Sequence, residues 1–469
     1  MNQTTDVKNI GLRGVKVADT RISDVNGEKG LLVYRGYKIG ELVSFSTFEE
    51  VSFLLLYDHL PTRKELETFQ SELTSERELP GVALELMRML PTSAHPTDVL
   101  QAVVPILAVY DLQARDETRE SNFNKAIRLI AKMSTVVATW DRIRKGLEPV
   151  HPNRNLSHAG NFLYMLTGSM PDPDTARDFD ICLILHAEHS FNASTFAGRE
   201  VASTHAHMYA SIAAALGALS GEIHGGANSA VMKMLLEVKE EDRVKAWVSE
   251  KLQKGGKIMG MGHAVYHTED PRATVLRSIC ERMASRVGDP HWCRLSKAIE
   301  AATQEEFKHL KGKEIYANVD FFSASVYHMM GIPRDLFTLS SPFRESRAGQ
   351  PTSSRRSLPK LNPSRSSTGQ IRITSETIAV WKGANTSPLK GELHEFPARY
   401  RDRGGRFGWT SGRGGMCGPD RCGCDQQDFP NPLPLGRSPG RDHGGSRKRG
   451  RRPLGMASLR YGEGKRLSR

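Results

Sequence analysis

Three residues of this 469-residue chain have the types that acid and base chemistry requires: His224, His263 and Asp320. An imidazole changes its protonation state near neutral pH and can donate or accept a proton. A carboxylate that is partly removed from water becomes a stronger base. Two histidines and one carboxylate are the parts that a carbon–carbon condensation assisted by acid and base needs.

Glycines flank both histidines. The pair Gly225-Gly226 follows the first one, and the segment Gly260-Met261-Gly262 precedes the second. Because glycine has no Cβ, these positions should let the backbone approach a ligand closely. The second segment is too short for a dinucleotide-binding fingerprint, and no strand–helix unit surrounds it.

Arg272 and Asp320 are the charged candidates, and the aspartate has two interpretations. A guanidinium fork suits a carboxylate or a phosphate. Asp320 lies between Val319 and Phe321, so its carboxylate should be partly desolvated, which favours a basic role. Taken alone, Asp320 is better explained as the N-cap of a helix that starts at Phe321. A single histidine is likewise more often structural than catalytic. Four further histidines fall under this rule: His186, His189, His205 and His207.

The elements that must position these residues are a short extended region followed by helices. Extended pieces are predicted for residues 11–17, 22–27 and 31–34. Thr47 and Glu50 have capping-box spacing before an apolar stripe, and Pro61-Thr62 opens the next helix. Apolar periodicity predicts helices within residues 99–107, 123–143, 179–186, 205–219, 246–252 and 321–330, and another starts near Asn228. We therefore expect an all-α body around a buried, alanine-rich helix at residues 210–219.

The composition changes after Thr338. Residues 339–469 contain 26 Lys and Arg against 10 Asp and Glu, a net charge of +16, whereas residues 1–338 carry −4. The same stretch holds 20 of the 42 glycines and 12 of the 24 prolines. It cannot bury enough apolar area to offset chain entropy, so we expect a largely disordered basic tail. The overall positive charge is therefore no sign that the folded part binds nucleic acid.

Cysteine usage and hydropathy indicate the class of protein. The body has three scattered cysteines, Cys182, Cys280 and Cys293, which is typical of buried thiols in a reducing compartment. The cysteines within residues 417–424 fit no standard zinc spacing, so we expect no metal site. No apolar run approaches the roughly 18 to 20 residues of a membrane span, and residues 1–7 lack a signal pattern. We expect a cytoplasmic protein without membrane partners.

In their order and intervals, these motifs resemble the citrate synthase family. The resemblance extends from about Gly11 to Thr338. It rests on five blocks: Tyr34 to Tyr37, His186 to Thr195, His224 to Asn228, Gly262 to Arg272 and Asn318 to Asp320. It implies a citrate synthase-like fold with a large helical domain from residues 1–224, a small domain over residues 225–330 and a return to the large domain at residues 331–338. It also implies a homodimer or a larger homo-oligomer.

The resemblance further implies a reaction of acetyl-CoA with oxaloacetate that gives citrate and CoA, with no cofactor because the CoA thioester is a substrate. Asp320 would remove a proton from the thioester methyl group while His224 hydrogen-bonds the thioester carbonyl. His263 would polarise and protonate the oxaloacetate ketone, and His189 and Arg272 would hold oxaloacetate. The CoA-binding loop would contain Lys257, Gly260, Met261 and Gly262.

The resemblance stops after Thr338, where the family continues with a helix that residues 339–469 do not contain. If codons are regrouped from the third base of the Thr338 codon, synonymous choices for residues 339–352 permit Pro-Ile-Phe-Ala-Ile-Ser-Arg-Val-Ala-Gly-Trp-Thr-Ala-His. Tryptophan has one codon, and it falls where the family has tryptophan. We therefore hypothesise that one base was lost near this codon, which makes residues 339–469 out-of-frame translation. The alternative is a genuine basic extension on a truncated enzyme.

The lost frame has consequences for activity. Two family arginines that bind substrate carboxylates would be encoded across Arg344 and Glu345 and across Thr368 and Gly369, and the second reaches across the dimer. We expect the chain as written to fold poorly and to have little or no activity.

Two alternative functions remain open. One is 2-methylcitrate synthesis from propionyl-CoA, which no motif separates from citrate synthesis. The other is non-catalytic nucleic-acid binding through the basic tail. The tail lacks interleaved aromatic residues and a recognisable reader fold, so we expect no specific nucleic-acid partner.

Overall fold

The computed structural model describes residues 19–221 and 224–340, and the backbone of residues 399–401 and 407–409. The described body is mostly helical, as the sequence predicts. The basic tail was predicted to be disordered. Apart from the two short backbone segments, the tail lies outside the described residues.

A small antiparallel sheet precedes the helices. Its strands are β1 (Ser23–Asn26), β2 (Leu31–Tyr34) and β3 (Tyr37–Lys38), and β2 pairs with both neighbours. Val25 of β1 lies opposite Leu32 of β2, and Leu32, Val33 and Tyr34 are all buried, so both faces of β2 are covered. The extended pieces predicted for residues 22–27 and 31–34 are confirmed, and the piece at residues 11–17 lies outside the described residues.

The helices follow in an almost unbroken series. In the first group they are α1 (Ile39–Phe45), α2 (Phe48–Tyr57), α3 (Arg63–Ser75), α4 (Gly81–Met89), α5 (Pro96–Val109), α6 (Arg119–Arg144), α7 (His158–Thr167), α8 (Pro173–Leu185), α9 (Ala193–Ser203) and α10 (Met208–Leu219). In the second they are α11 (Ala227–Val238), α12 (Val244–Gln253), α13 (Pro271–Val287), α14 (His291–Lys311), α15 (Val319–Met329) and the short α16 (Phe337–Ser340). The backbone of β4 (Arg399–Arg401) and β5 (Phe407–Trp409) forms an antiparallel pair that the sequence did not predict.

Local capping explains where two of the helices begin. The Thr47 hydroxyl accepts the Glu50 backbone N–H, and the Glu50 carboxylate accepts the Thr47 backbone N–H at 2.8 Å. Thr62 and Glu65 form the same capping box at the start of α3. Both predicted helix starts are confirmed, because each box satisfies N–H groups that have no partner within the helix.

The helices before residue 221 pack around α6, whose Trp140 is 1% exposed. This long helix contacts α3, α5, α7 and α10. The prediction that the alanine-rich helix α10 is buried is confirmed for one of its faces. Ile212, Leu216 and Leu219 are buried, whereas residues 213, 214, 217 and 218 are half-exposed, so only one face of α10 enters the core of the described chain.

The helices after residue 224 make a second packed group, in which α15 contacts α11, α13 and α14. Ion pairs connect α13 to α8: Arg282 contacts the Asp178 carboxylate at 2.5 Å and Arg286 contacts it at 2.9 Å. Cys182, Cys280 and Cys293 are free, buried thiols, as predicted. None of the helices within residues 19–221 and 224–340 combines the length and apolarity needed to cross a membrane.

Candidate active site

His224 lies between the end of α10 and the start of α11, where the chain turns. Its Nε2 atom faces Ser194, the second residue of α9: the Ser194 backbone N–H donates to Nε2 at 3.2 Å, and the Ser194 Oγ lies 2.8 Å from the same atom. A backbone N–H can only donate, so Nε2 accepts and the neutral ring carries its proton on Nδ1. His224 is therefore arranged to donate a hydrogen bond through Nδ1.

His263 has the opposite tautomer. Its Nδ1 accepts the backbone N–H groups of Val265 at 2.9 Å and Tyr266 at 3.0 Å. Both are obligatory donors, so the ring proton resides on Nε2. The loop that follows the histidine thus wraps around its own ring and leaves Nε2 as the proton-bearing nitrogen.

His189 and Tyr266 complete an aromatic cluster around His263. The centroid of the His263 ring lies 5.6 Å from that of His189 and 4.6 Å from that of Tyr266. The His189 Nε2 lies 3.3 Å from the Tyr266 hydroxyl. Burial, followed by the nearby Arg272 and His263, holds the pKa of His189 well below its usual range. His189 is therefore a neutral hydrogen-bonding group at neutral pH.

Arg272 lies under this cluster and is 1% exposed. Its Nε and Nη2 donate to the two carboxylate oxygens of Asp270 at 3.0 and 2.9 Å, which is a fork-to-fork pair. Burial alone would raise the pKa of Asp270, but the Arg272 guanidinium holds it below its usual value. Asp270 also caps α13 by accepting the Arg272 backbone N–H at 3.0 Å. One carboxylate thus fixes both the backbone and the side chain of Arg272.

Asp320 lies in the first turn of α15 and is 6% exposed. The N-cap of this helix is Asn318, whose side chain accepts the Asp320 backbone N–H at 3.0 Å. The capping interpretation of Asp320 was therefore wrong: the helix starts two residues earlier than expected, and the Asp320 carboxylate is not needed for the cap. The buried Asp320 carboxylate therefore lies in the first turn of α15, near the positive end of the helix dipole.

The segment Gly260–Gly262 is joined directly to the start of α15. The Asn318 backbone N–H donates to the Gly260 carbonyl at 2.9 Å, and the Asn318 side chain donates to the Gly262 carbonyl at 2.9 Å. Gly260 has a φ of +81°, and a Cβ there would come within 2.8 Å of the Phe321 and Val231 side chains. Only glycine fits this position, because both the backbone conformation and the space exclude a side chain.

Gly225 and Lys257 were also predicted to lie near a ligand. A Cβ at Gly225 would lie 2.0 Å from the Leu219 carbonyl oxygen, so a close approach of the chain's own backbone requires glycine at this position. Lys257 is exposed at the far end of its loop, and no hydrogen bond or ion pair within the described residues joins it to the histidine cluster. Gly260 and Gly262 thus contact the start of α15, and the CoA-binding role of Lys257, Gly260, Met261 and Gly262 stays a prediction.

Two of the remaining histidines have structural roles. The His186 Nδ1 lies 2.7 Å from the Cys182 carbonyl within the core, and His207 is the N-cap of α10. The exposed His205 pairs with Glu117 at 3.0 Å, away from the cluster. The rule that single histidines are mostly structural is confirmed for His186 and His207.

Ser194, Tyr266 and Asp270 had no predicted role, although all three lie inside the motifs that resemble the family. Asp270 could have been found from its own signal, since an aspartate followed by proline and a buried arginine marks a helix N-cap that can also pair with the arginine. Ser194 and Tyr266 give no comparable signal, because their contacts join segments that are distant in the sequence.

Comparison with known proteins identifies the arrangement. A family model described as "Citrate synthase, C-terminal domain" matches residues 11–343. The chain belongs to the citrate synthase family. A citrate synthase of Deinococcus radiodurans is 42% identical over 328 residues, which cover 70% of this chain and 86% of that protein. Other relatives are named 2-methylcitrate synthase.

Solved citrate synthases share the fold. The enzyme of Pyrobaculum aerophilum superimposes with a TM-score of 0.67 at 38% identity and covers 76% of this chain and 94% of its own. The citrate synthase of Thermoplasma acidophilum, solved in a ternary complex with carboxymethyl coenzyme A and oxaloacetate, gives a TM-score of 0.66 at 28% identity over 75% of this chain and 97% of its own. As a member of this family, the protein is an acyltransferase: it transfers the acyl group of acetyl-CoA in a condensation reaction.

Proposed function

We propose that this chain has the active site of a citrate synthase, which joins acetyl-CoA to oxaloacetate and releases citrate and CoA. The observation that carries the proposal is the pair of opposite histidine tautomers. His224 presents a proton on Nδ1 and His263 presents one on Nε2. A condensation between two carbonyl compounds needs two such donors, one for the carbonyl that becomes an enol and one for the carbonyl that becomes an alcohol.

In the proposed first step, the Asp320 carboxylate removes a proton from the methyl group of the thioester. The His224 Nδ1–H donates a hydrogen bond to the thioester oxygen, so that charge on this oxygen is neutralised as the enol forms. Asp320 and His224 are both about 94% buried. Exclusion of water strengthens both interactions, since the local dielectric is low.

In the proposed second step, the enol carbon attacks the ketone carbon of oxaloacetate, and the His263 Nε2–H transfers its proton to the forming alkoxide. Hydrolysis of the resulting thioester then releases citrate and CoA. His189 would hold oxaloacetate as a neutral donor or acceptor. Arg272, whose side chain Asp270 fixes through Nε and Nη2, would bind an oxaloacetate carboxylate.

We also propose a two-domain arrangement and a homodimeric assembly. Residues 1–224 with 331–338 would form a large domain and residues 225–330 a small domain, which close over CoA held by the Gly260–Gly262 segment. The half-exposed apolar face of α10 is consistent with a homodimer, since a second copy would bury it. No cofactor is required by this chemistry, and we expect a cytoplasmic enzyme.

The proposal also includes the lost reading frame. The body of the chain ends at α16, where the Thr338 hydroxyl donates to the Gly225 carbonyl at 2.5 Å. In the restored frame, the residues after Thr338 would supply two further arginines for substrate carboxylates. The 469-residue chain would therefore bind substrates weakly and have little activity.

Two measurements test these points. Peptide mass spectrometry on protein from the source organism, searched in both frames beyond Leu336, should detect the restored-frame peptides; peptides such as Ser366 to Arg372 would contradict the lost-base hypothesis.

CoA release should then be measured with acetyl-CoA and propionyl-CoA for the restored-frame and 469-residue chains. We expect turnover with acetyl-CoA for the restored frame only. A preference for propionyl-CoA would favour 2-methylcitrate synthesis, and normal turnover by the 469-residue chain would refute impairment.

A further inference from the structure

The turn between β1 and β2 packs directly on the loop that carries His263. A Cβ on Gly27 would lie 1.8 Å from the Val265 carbonyl oxygen and 2.7 Å from its carbon. Real Cβ atoms do not approach backbone this closely, so even alanine would force one of the two segments to move. The Gly27 carbonyl in turn accepts the His267 backbone N–H at 3.0 Å.

Gly30, at the other end of the same turn, repeats this contact. It has a φ of +57°, and a Cβ there would lie 2.8 Å from the Thr268 Oγ1 and 2.9 Å from the Glu269 carbonyl oxygen. The turn therefore covers residues 265–269 without a gap. These are the residues that connect His263 to Asp270.

The same hairpin holds the segment of His189 through its strands. The Ser23 hydroxyl donates to the buried Glu188 carboxylate at 2.9 Å, and this carboxylate accepts the Ser190 backbone N–H at 2.6 Å. The Tyr34 hydroxyl accepts the Glu188 backbone N–H at 3.1 Å. Ser190 has a φ of +62°, a conformation that costs energy outside glycine and persists only when its surroundings impose it.

We propose that the β1–β2 hairpin is a positioning element that sets the two histidine segments against each other, with Gly27 as the positioning residue for His263. Gly27 acts through the peptide that joins Val265 to Tyr266: its lack of a side chain lets the Val265 carbonyl lie against the hairpin turn, which leaves the Tyr266 N–H of the same peptide placed to donate to the His263 Nδ1. Displacement of residues 265 and 266 would weaken both backbone hydrogen bonds to Nδ1 and release the ring from its single tautomer. The effect on the ring follows from geometry alone, whereas the effect on turnover rests on the proposed function.

The test compares Gly27→Ala with Gly40→Ala in the full 469-residue chain. Gly40 lies within α1, and a Cβ there meets nothing within 4 Å, so the control makes the same chemical change without the contact. Amide hydrogen exchange reports on the loop, and ¹⁵N-histidine spectra, assigned with His263→Asn, report on the tautomer. Neither measurement requires an active enzyme.

For Gly27→Ala we expect amide exchange in residues 265–267 to rise by about tenfold or more while exchange in α2 is unchanged. The His263 signals should change from one tautomer, protonated on Nε2, to a mixture. Exchange and histidine spectra equal to those of Gly40→Ala would overturn the proposal. In a restored-frame chain that is active, Gly27→Ala should lower kcat by a larger factor than it raises KM for acetyl-CoA. An altered tautomer with an unchanged kcat would contradict the proposed role of His263, but it would still support the positioning role of Gly27.

A second measurement applies if Gly27→Ala does not fold. Native-state hydrogen exchange of the unaltered chain in increasing urea gives the opening free energy of single amides. The His267 amide and the strand amides of Leu32 and Val33 should open together, with one free energy and one urea dependence. An His267 amide that opens at lower urea, independently of the hairpin, would contradict the proposal.

Discussion

The Asp270 carboxylate accepts the Val319 backbone N–H at 3.2 Å. Since the same carboxylate holds Arg272 by two hydrogen bonds, it connects the start of α13 with the start of α15, the helix that carries Asp320. The spacing between the proposed substrate-binding arginine and the proposed base is therefore set by one buried side chain.

Asp270→Asn should destabilise the protein and loosen this connection. Asparagine caps a helix as well as aspartate does, so the change removes the charge and leaves a buried guanidinium without its counter-ion. Removing one partner of a buried ion pair costs about 3 to 5 kcal/mol. Urea unfolding measures the loss of unfolding free energy. The matched control is Asp172→Asn, because Asp172 is also an N-cap followed by proline but its side chain is 51% exposed. Equal losses for the two variants would show that Asp270 acts only as a cap.

Gly260→Ala should destabilise the contact between the Gly260–Gly262 segment and α15. The variant combines a strained φ with a clash against Phe321 and Val231. A non-glycine residue in the left-handed conformation alone lowers the free energy of unfolding by about 1 to 2 kcal/mol, and we expect a larger decrease for Gly260→Ala. Gly288→Ala isolates the conformational part, since Gly288 has a φ of +70° and open space around its Cα. Unfolding free energies that do not differ between the two variants would argue against the close approach.

Ser194→Ala should leave the tautomer of His224 unchanged. The backbone N–H remains and still donates to Nε2, so the proton stays on Nδ1. The hydroxyl loses its contact with the His224 Nε2 and its hydrogen bond to the Asn192 Oδ1, both at 2.8 Å. A single neutral hydrogen bond contributes about 1 kcal/mol, so turnover in the restored frame should fall by about tenfold or less. Ser211→Ala is the control, because Ser211 is buried in α10 and its hydroxyl has no hydrogen-bond partner within the described residues. A proton on Nε2 in the ¹⁵N spectrum of Ser194→Ala would disprove the assignment.

Acid should destabilise the chain through its buried neutral histidines. Burial, with a smaller contribution from Arg77, lowers the pKa of His158 to about 3. The unfolded state has a histidine pKa of about 6.5 and binds the proton first, so stability is complete above this pH and falls by up to about 1.4 kcal/mol per pH unit below it. His158→Phe keeps a ring against Phe48, which lies 5.2 Å away between centroids, and removes the titration. Between pH 7.5 and 5.0, the difference in unfolding free energy between wild type and variant should change by about 2 kcal/mol in favour of the variant. A constant difference would contradict a buried neutral His158.

Local sequence determined much of the framework. Thr47 with Glu50 and the pair Pro61-Thr62 predicted two helix starts correctly, because these signals involve residues only a few positions apart. The apolar periodicity predicted the main helices for the same reason. Asp320 shows the limit of this reasoning: both Asn318 and Asp320 can cap a helix, and the hydrogen bonds that choose between them run to Gly260 and Gly262.

By itself, the sequence determined the family, the order of the helices and the residues that could do the chemistry, since these follow from residue types and short intervals. Only the tertiary structure decided which nitrogen of each histidine carries the proton, that Gly225 makes room for Leu219, and that Gly27 lies on Val265. Each of these depends on an obligatory backbone donor or a close backbone approach between segments that the chain brings together from distant positions. Such contacts have no local pattern, because neither partner constrains the residues next to the other.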